Sequence, residues 1–238
     1  MTKLRLALIA TTATLLPLAA HAQTSGSRPG LFDVSANLGW QQMQSADPSI
    51  RQWAHTASAA TYGTNCNIAS QSVVFSNRDF QAAFDAIDEQ TLLAQLRSQG
   101  GVNYAEISPV QTGDLDGMDA FRLTARTTGE FNFTAIQYQA IFGNTLVAVT
   151  CGSDESGTGV MLPTLERFVE TTRFSSGMTS AKIENDPQAE FPALLNASAT
   201  SPGDFAADMA IAVFRNGTEQ ALTAAQAQVS GDTTQSDE

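Results

Sequence analysis

The segment from Phe133 to Cys151 constrains this chain more than any other. Residues 133–142, FTAIQYQAIF, place Ile136, Tyr138, Ala140 and Phe142 on one face of a strand. Gly143-Asn144 follows as a two-residue turn with glycine first. Leu146-Val147-Ala148-Val149-Thr150-Cys151 then returns as a nearly continuous apolar strand. Such a run gives neither face to water, so it predicts a central strand covered on both sides.

The flanking segments supply the cover. Ser76-Asn77-Arg78-Asp79 starts a helix in capping-box fashion, and Phe80, Ala83, Phe84 and Ile87 continue it at helical spacing. Leu92, Leu93 and Leu96 fall on the opposite face. Two short helices meeting near Asp88-Glu89 fit that pattern, and so does one helix covered on both sides; Gly100-Gly101 ends the segment. Tyr104, Glu106 and Ser108 alternate with Ala105, Ile107 and Pro109, and Phe121, Leu123 and Ala125 with Arg122, Thr124 and Arg126, as in half-buried strands. After Cys151, residues 152–159 read as a loop, and Leu162, Leu165, Val169 and Thr172 mark a closing helix that runs to Phe174. Residues 31–76 read as irregular, with short strands near 35–43 and 68–75. This order predicts an α+β domain over 31–176, an antiparallel sheet packed by helices. Residues 177–238 read as a flexible extension: a linker, a short helix over 204–214 with Asn216-Gly217 at its end, and a disordered acidic tail.

The N-terminus adds a compartment. Lys3 and Arg5 precede the uncharged stretch 6–20, and Ala20-His21-Ala22 puts small residues before Gln23. That is the layout of a cleavable signal peptide over 1–22, cut between Ala22 and Gln23. The stretch is interrupted by Pro17 and three threonines, and a spanning helix needs about 20 apolar residues. No stable membrane insertion is expected after cleavage, and the protein is expected to be periplasmic or secreted. Loss of Lys3 and Arg5 takes the net charge from -12 to -14, with Lys182 the one remaining lysine. So acidic a chain repels nucleic acid, and none is expected as a partner. In an oxidising compartment the two cysteines, Cys66 and Cys151, are expected to form a disulfide.

Chemistry-bearing motifs are sparse. His55 is the one histidine beyond the leader, with no carboxylate close to it in sequence. HExxH, Walker A, GxGxxG, GxSxG and SxxK patterns do not occur in the mature chain. Asp114, Asp116 and Asp119 make a weak hard-cation loop whose glycine stands at the fourth position, not the sixth that an EF-hand requires. A tight turn is the simpler reading. Glu166 and Glu170 lie four apart on the closing helix, where paired carboxylates more often form a solvated face than an acid–base pair. Asn132, Asn196 and Asn216 head glycosylation sequons, which matter in a eukaryotic secretory pathway.

Residues 78–174 resemble the Mog1/PsbP-like fold group, which includes DcrB-type and LpqN-type envelope proteins. The cues are the helix at 78, the turn Asp116-Gly117-Met118-Asp119-Ala120, the long strand ending in Gly143-Asn144, the strand LVAVTC, and the helix PTLERFVETTRF. Members are mostly accessory or assembly proteins without catalysis, so the resemblance implies a protein-interaction role and carries no catalytic residue or cofactor. The expectation is an exported, non-catalytic envelope accessory that binds another envelope protein. An unrecognised periplasmic hydrolase and a small-ligand or calcium-binding module are the alternatives.

Overall fold

The computed structural model describes residues 32–34, 37–45, 50–73, 77–85, 88–98, 100–143, 145–174 and 202–231. The signal segment with Ala22 and Gln23 lies outside these residues, as does most of the expected linker.

The strands are β1 (Phe32–Asp33), β2 (Trp40–Met43), β3 (Ile50–His55), β4 (Asn65–Ser72), β5 (Tyr104–Ile107), β6 (Gln111–Leu115), β7 (Met118–Thr127), β8 (Phe133–Phe142), β9 (Thr145–Asp154) and β10 (Arg173–Phe174). The helices are α1 (Ala59–Tyr62), α2 (Asn77–Asp85), α3 (Glu89–Ser98), α4 (Glu155–Thr171) and α5 (Pro202–Ser230). Eight strands form one sheet in the order β2-β3-β4-β9-β8-β7-β5, with β6 also paired to β7. Every pairing in it is antiparallel. β1 and β10 form a separate two-stranded pair.

The predicted hairpin is the centre of this sheet. β8 and β9 pair from Phe133↔Asp154 to Phe142↔Thr145, and Gly143 turns the chain at φ 64°. One face carries Ile136, Tyr138, Ala140, Phe142, Val147 and Val149, packed under Met161, Leu165, Phe168 and Val169 of α4. The other carries Ile141 and Leu146 beside Phe121, Leu123 and Ala125 of β7. These meet Phe80 of α2, Leu92 and Leu96 of α3, and Ala206, Ala210, Ile211 and Phe214 of α5. The fold is thus α+β, with helices on both faces of an antiparallel sheet.

Three local expectations change, and one left open is resolved. Residues 152–159 are not a loop: β9 runs to Asp154, and α4 begins at once. Asp154 makes the junction, its carboxylate accepting from the Gly157 amide at 2.6 Å as a helix N-cap. Residues 50–55 are a strand inside the segment read as irregular, buried through Ile50 and Trp53. The stretch around Asp88 is two helices, as one of the two readings had it. The helix expected over 204–214 extends to Ser230, so residues 218–230 are helical and not a disordered tail. Composition misled because alanine and glutamine are polar-neutral in bulk yet strong helix formers. Ala221, Ala224 and Ala225 are buried along the way. Among the described residues, no helix is long and apolar enough to cross a membrane.

Candidate functional site

The sheet face under α5 is the polar part of the core. Alternation sends Ile68 and Cys66 of β4 towards α4 and leaves Asn65 and Asn67 on the opposite side. Gln137 and Gln139 of β8 share that side with Thr150 of β9, and Gln52 of β3 joins them. All six are buried.

Five of these six side chains make one kind of contact with α5. Asn65 Nδ2 donates to the Ala221 carbonyl at 2.9 Å, and Asn67 Nδ2 to the Gly217 carbonyl at 2.9 Å. Gln139 Nε2 donates to the Ala210 carbonyl at 3.1 Å. Gln137 Nε2 reaches the Val213 carbonyl and Gln52 Nε2 the Gln220 carbonyl, both at 3.5 Å. From Ala210 through Val213 and Gly217 to the adjacent Gln220 and Ala221, the acceptors recur every three or four residues, so they line one side of the helix. A carbonyl only accepts, which fixes the NH2 end of each amide towards the helix. Thr150 Oγ1 accepts from Gln137 at 2.6 Å, and Gln139 also donates to Gln137 Oε1. The sheet thus holds a helix by its main chain.

Such a grip needs close approach. A Cβ on Gly217 would lie 2.3 Å from Thr150 Oγ1 and 2.5 Å from Gln137 Nε2, so a side chain there would have to push apart the hydrogen-bonded pair beneath it. At the far end, a Cβ on Gly63 would meet the Ala225 Cβ at 2.6 Å. Asn216-Gly217, read from the sequence as a helix terminator, is instead the point of closest packing within α5.

The fit is incomplete. Among the described residues, buried polar side-chain atoms without a hydrogen bond are Asn65 Oδ1, Asn67 Oδ1, Gln139 Oε1, the Tyr104 hydroxyl, Arg215 Nε, Thr218 Oγ1, Gln228 Oε1 and Thr64 Oγ1. Three of these lie on α5, and Asn65, Asn67 and Gln139 grip it. The Tyr104 ring packs 6.2 Å from that of Phe214. Seven of the eight therefore belong to the α5 interface. Burial pushes the Tyr104 hydroxyl up to about 12. A phenol harder to ionise when folded favours the fold fully below pH 10, and that share is lost as pH rises towards 12. Tyr104→Phe is expected to flatten this alkaline decline, because the group whose ionisation costs stability is removed. Urea titrations at pH 7, 9.5 and 11 check it; an equal decline in the variant refutes the assignment.

The residues singled out in the sequence serve structure. Cys66 and Cys151 are bonded, directly opposite each other on β4 and β9 with Cα atoms 4.0 Å apart. Asp114 Oδ1 accepts from the Gly117 amide at 3.1 Å, inside the β6–β7 turn where Asp116 and Gly117 hold φ of 52° and 80°. Two successive left-handed residues are the signature of a tight hairpin turn. Asp116 reaches out of it: its carboxylate accepts from the Phe174 amide at 2.8 Å and pairs with Arg173 at 3.5 Å. Asp119 stands opposite Asp114, and its carbonyl accepts from Gln81. Among the described residues no group of three or more His, Cys, Asp or Glu is placed to hold a metal. Asp116→Ala is expected to lower stability by about 1–3 kcal/mol by freeing a buried-edge amide, equally in EDTA and in calcium. A loss seen in calcium alone would restore the cation reading.

His55 Nδ1 and Ser58 Oγ lie 2.7 Å apart, and Trp40 stacks edge-on against the ring. Burial lowers the His55 pKa. Glu166 is tied to Arg122 at 3.0 Å, and Arg122 also donates to the Tyr138 hydroxyl and to Gln111. Glu170 takes part through its carbonyl, which accepts from Arg173. Sequence reading missed the amide strip, although polar residues two apart inside apolar strands, Gln137/Gln139 and Asn65/Asn67, are its visible trace.

No family model and no curated protein matches the chain. Solved structures do. The chain is similar to cyanobacterial PsbP (CyanoP) from Synechocystis sp. PCC 6803 at 12% identity and a TM-score of 0.38, over 58% of this chain and 83% of that one. It is similar to LpqN of Mycobacterium tuberculosis, described as involved in cell envelope biogenesis, at 14% identity and a TM-score of 0.38, over 60% and 83%. A protein from Bacteroides thetaiotaomicron VPI-5482 matches at 6% identity and a TM-score of 0.37, over 87% and 80%.

Proposed function

We propose that this chain is an exported, non-catalytic envelope accessory protein that binds another protein through the amide-lined face of its sheet. One observation carries the reading: the buried amides of that face donate to main-chain carbonyls of a helix. A peptide carbonyl is common to every polypeptide, so the chemistry suits holding a protein segment. The disulfide supports an oxidising, extracytoplasmic setting. The leader read at 1–22 supports export.

The test is capture from an envelope extract on the immobilised full chain, read by mass spectrometry, with a synthetic peptide of residues 202–230 as competitor. A saturable partner that the peptide displaces supports the proposal. A partner indifferent to the peptide moves the contact off this face, and absence of any saturable partner refutes the binding role.

A further inference from the structure

The seat under α5 is built for a helix, yet α5 fills it imperfectly. We propose that α5 is a displaceable occupant, and that the partner enters the same seat as a helix with small residues on one side and hydrogen-bond donors among them. This rests on the protein-binding reading above and names the kind of segment bound.

The argument begins with what the seat offers. Its amides present both ends: NH2 groups that donate and oxygens that accept. The helix main chain satisfies the first through the carbonyls of Ala210, Gly217 and Ala221. It leaves the second unmet, because interior helix N–H groups are spent within the helix itself. Asn65 Oδ1, Asn67 Oδ1 and Gln139 Oε1 are consequently buried without a donor. Of the donors α5 does bring, Arg215 Nε finds no partner, and Thr218 Oγ1 lies against the Tyr104 hydroxyl and not against the oxygens of the strip. Acceptors on one side and donors on the other are both present and mismatched.

The steric demands are equally specific. A Cβ at position 217 would displace Thr150 Oγ1 and Gln137 Nε2, and Ala206, Ala210, Ala221 and Ala225 are fully buried where the helix lies against its neighbours. An entering helix must keep that small-residue side. A serine in place of an alanine adds one hydroxyl at almost no cost in volume, and supplies the donor that α5 lacks. Each mismatch repaired in this way is expected to tighten binding about fivefold. The grip on carbonyls is indifferent to which chain they belong to, so exchange needs no remodelling of the sheet.

The experiment uses the full chain with a protease site placed between residues 175 and 201. Fluorescein-labelled peptides of residues 202–230 are added after cutting, and anisotropy reads their entry. The set holds the native peptide, Gly217→Leu, and single serine replacements of Ala206, Ala210, Ala221, Ala224 and Ala225. The native peptide is expected to enter saturably, at least one serine peptide to enter about fivefold more tightly, and Gly217→Leu to be shut out. Leucine favours a helix more than glycine does, so exclusion reports the clash and not lost helicity. No entry by the native peptide, no gain from any serine, or equal entry by Gly217→Leu overturns the proposal. So does exchange of α5 between uncut chains to give dimers, with no serine gain, since the occupant is then a second copy. Capture of an envelope partner without a serine gain removes this inference and keeps the proposed function; a serine gain with no envelope partner removes the proposed function and, with it, the partner helix, and leaves α5 as an exchangeable segment.

Discussion

A chain ending at Ser201 is expected to lose its cooperative thermal transition and to bind a hydrophobic dye at neutral pH. Ile211 and Phe214 are buried in α5, and full burial of such side chains stabilises by about 1.5–3 kcal/mol each. Their loss is only half of the effect, because Ile141 of β8 and Leu146 of β9, in the same cluster, lose part of their cover at the same time. Five amides lose the carbonyls they grip, and these return to water. The apolar terms alone reach a large share of the roughly 5–15 kcal/mol that holds an ordinary domain together. Calorimetry and dye fluorescence on the truncated chain check this. A truncated chain that melts cooperatively within about 3 °C of the full chain, a shift worth roughly 1 kcal/mol, refutes a core role for α5. The same arithmetic bears on displacement: a partner helix has to restore the buried area as it arrives, so the seat is exchanged and never left empty.

The second large effect is expected from the disulfide. Cys66 and Cys151 close a loop with a sequence separation of 85, for which the chain-entropy model gives roughly 4 kcal/mol. Both residues are fully buried in the cluster under α4, beside Val149, Ile136 and Trp53. Cys66→Ala with Cys151→Ala therefore removes a cross-link and two packed sulfurs together. For a chain of this size the midpoint is expected to fall by about 8–16 °C. Thermal melts of the double variant, and of the unmodified chain with reductant, measure it. An unchanged midpoint in both refutes the claim that β4 and β9 depend on the bond. A fall in the double variant with none on reduction shows a bond shielded by burial, with its stabilising role intact.

The sheet was legible where packing is local in sequence. The β8–β9 hairpin announces itself because its alternation and its glycine turn occupy neighbouring residues. The stripe Leu165–Val169 announces α4 for the same reason. β3 did not, since Arg51, Gln52 and His55 dilute its pattern, and its burial comes from Trp53 meeting Phe168 over a hundred residues later. α5 is the sharper case. Its run of alanine, threonine and glutamine lacks the large apolar stripe that marks an amphipathic helix, because the surface it faces is polar and close. Gly217 reads as a stop when viewed locally and as a contact when Thr150 is brought against it. The amide strip was illegible for a related reason. Asn65 and Ala221 are partners separated by 156 positions, and nothing in either neighbourhood names the other.

That separation sets an order of events. Asn65 and Asn67 are made first, and the carbonyls that cover them follow 156 and 150 residues later. Domains emerging from a ribosome at about 5–20 residues per second leave this face waiting several seconds for its own helix. Contacts so distant in sequence close slowly even once the chain is whole. Since the sheet does not hold cooperatively without α5, the strip is completed as a surface in the same step that covers it: the chain is shut at the moment it is finished.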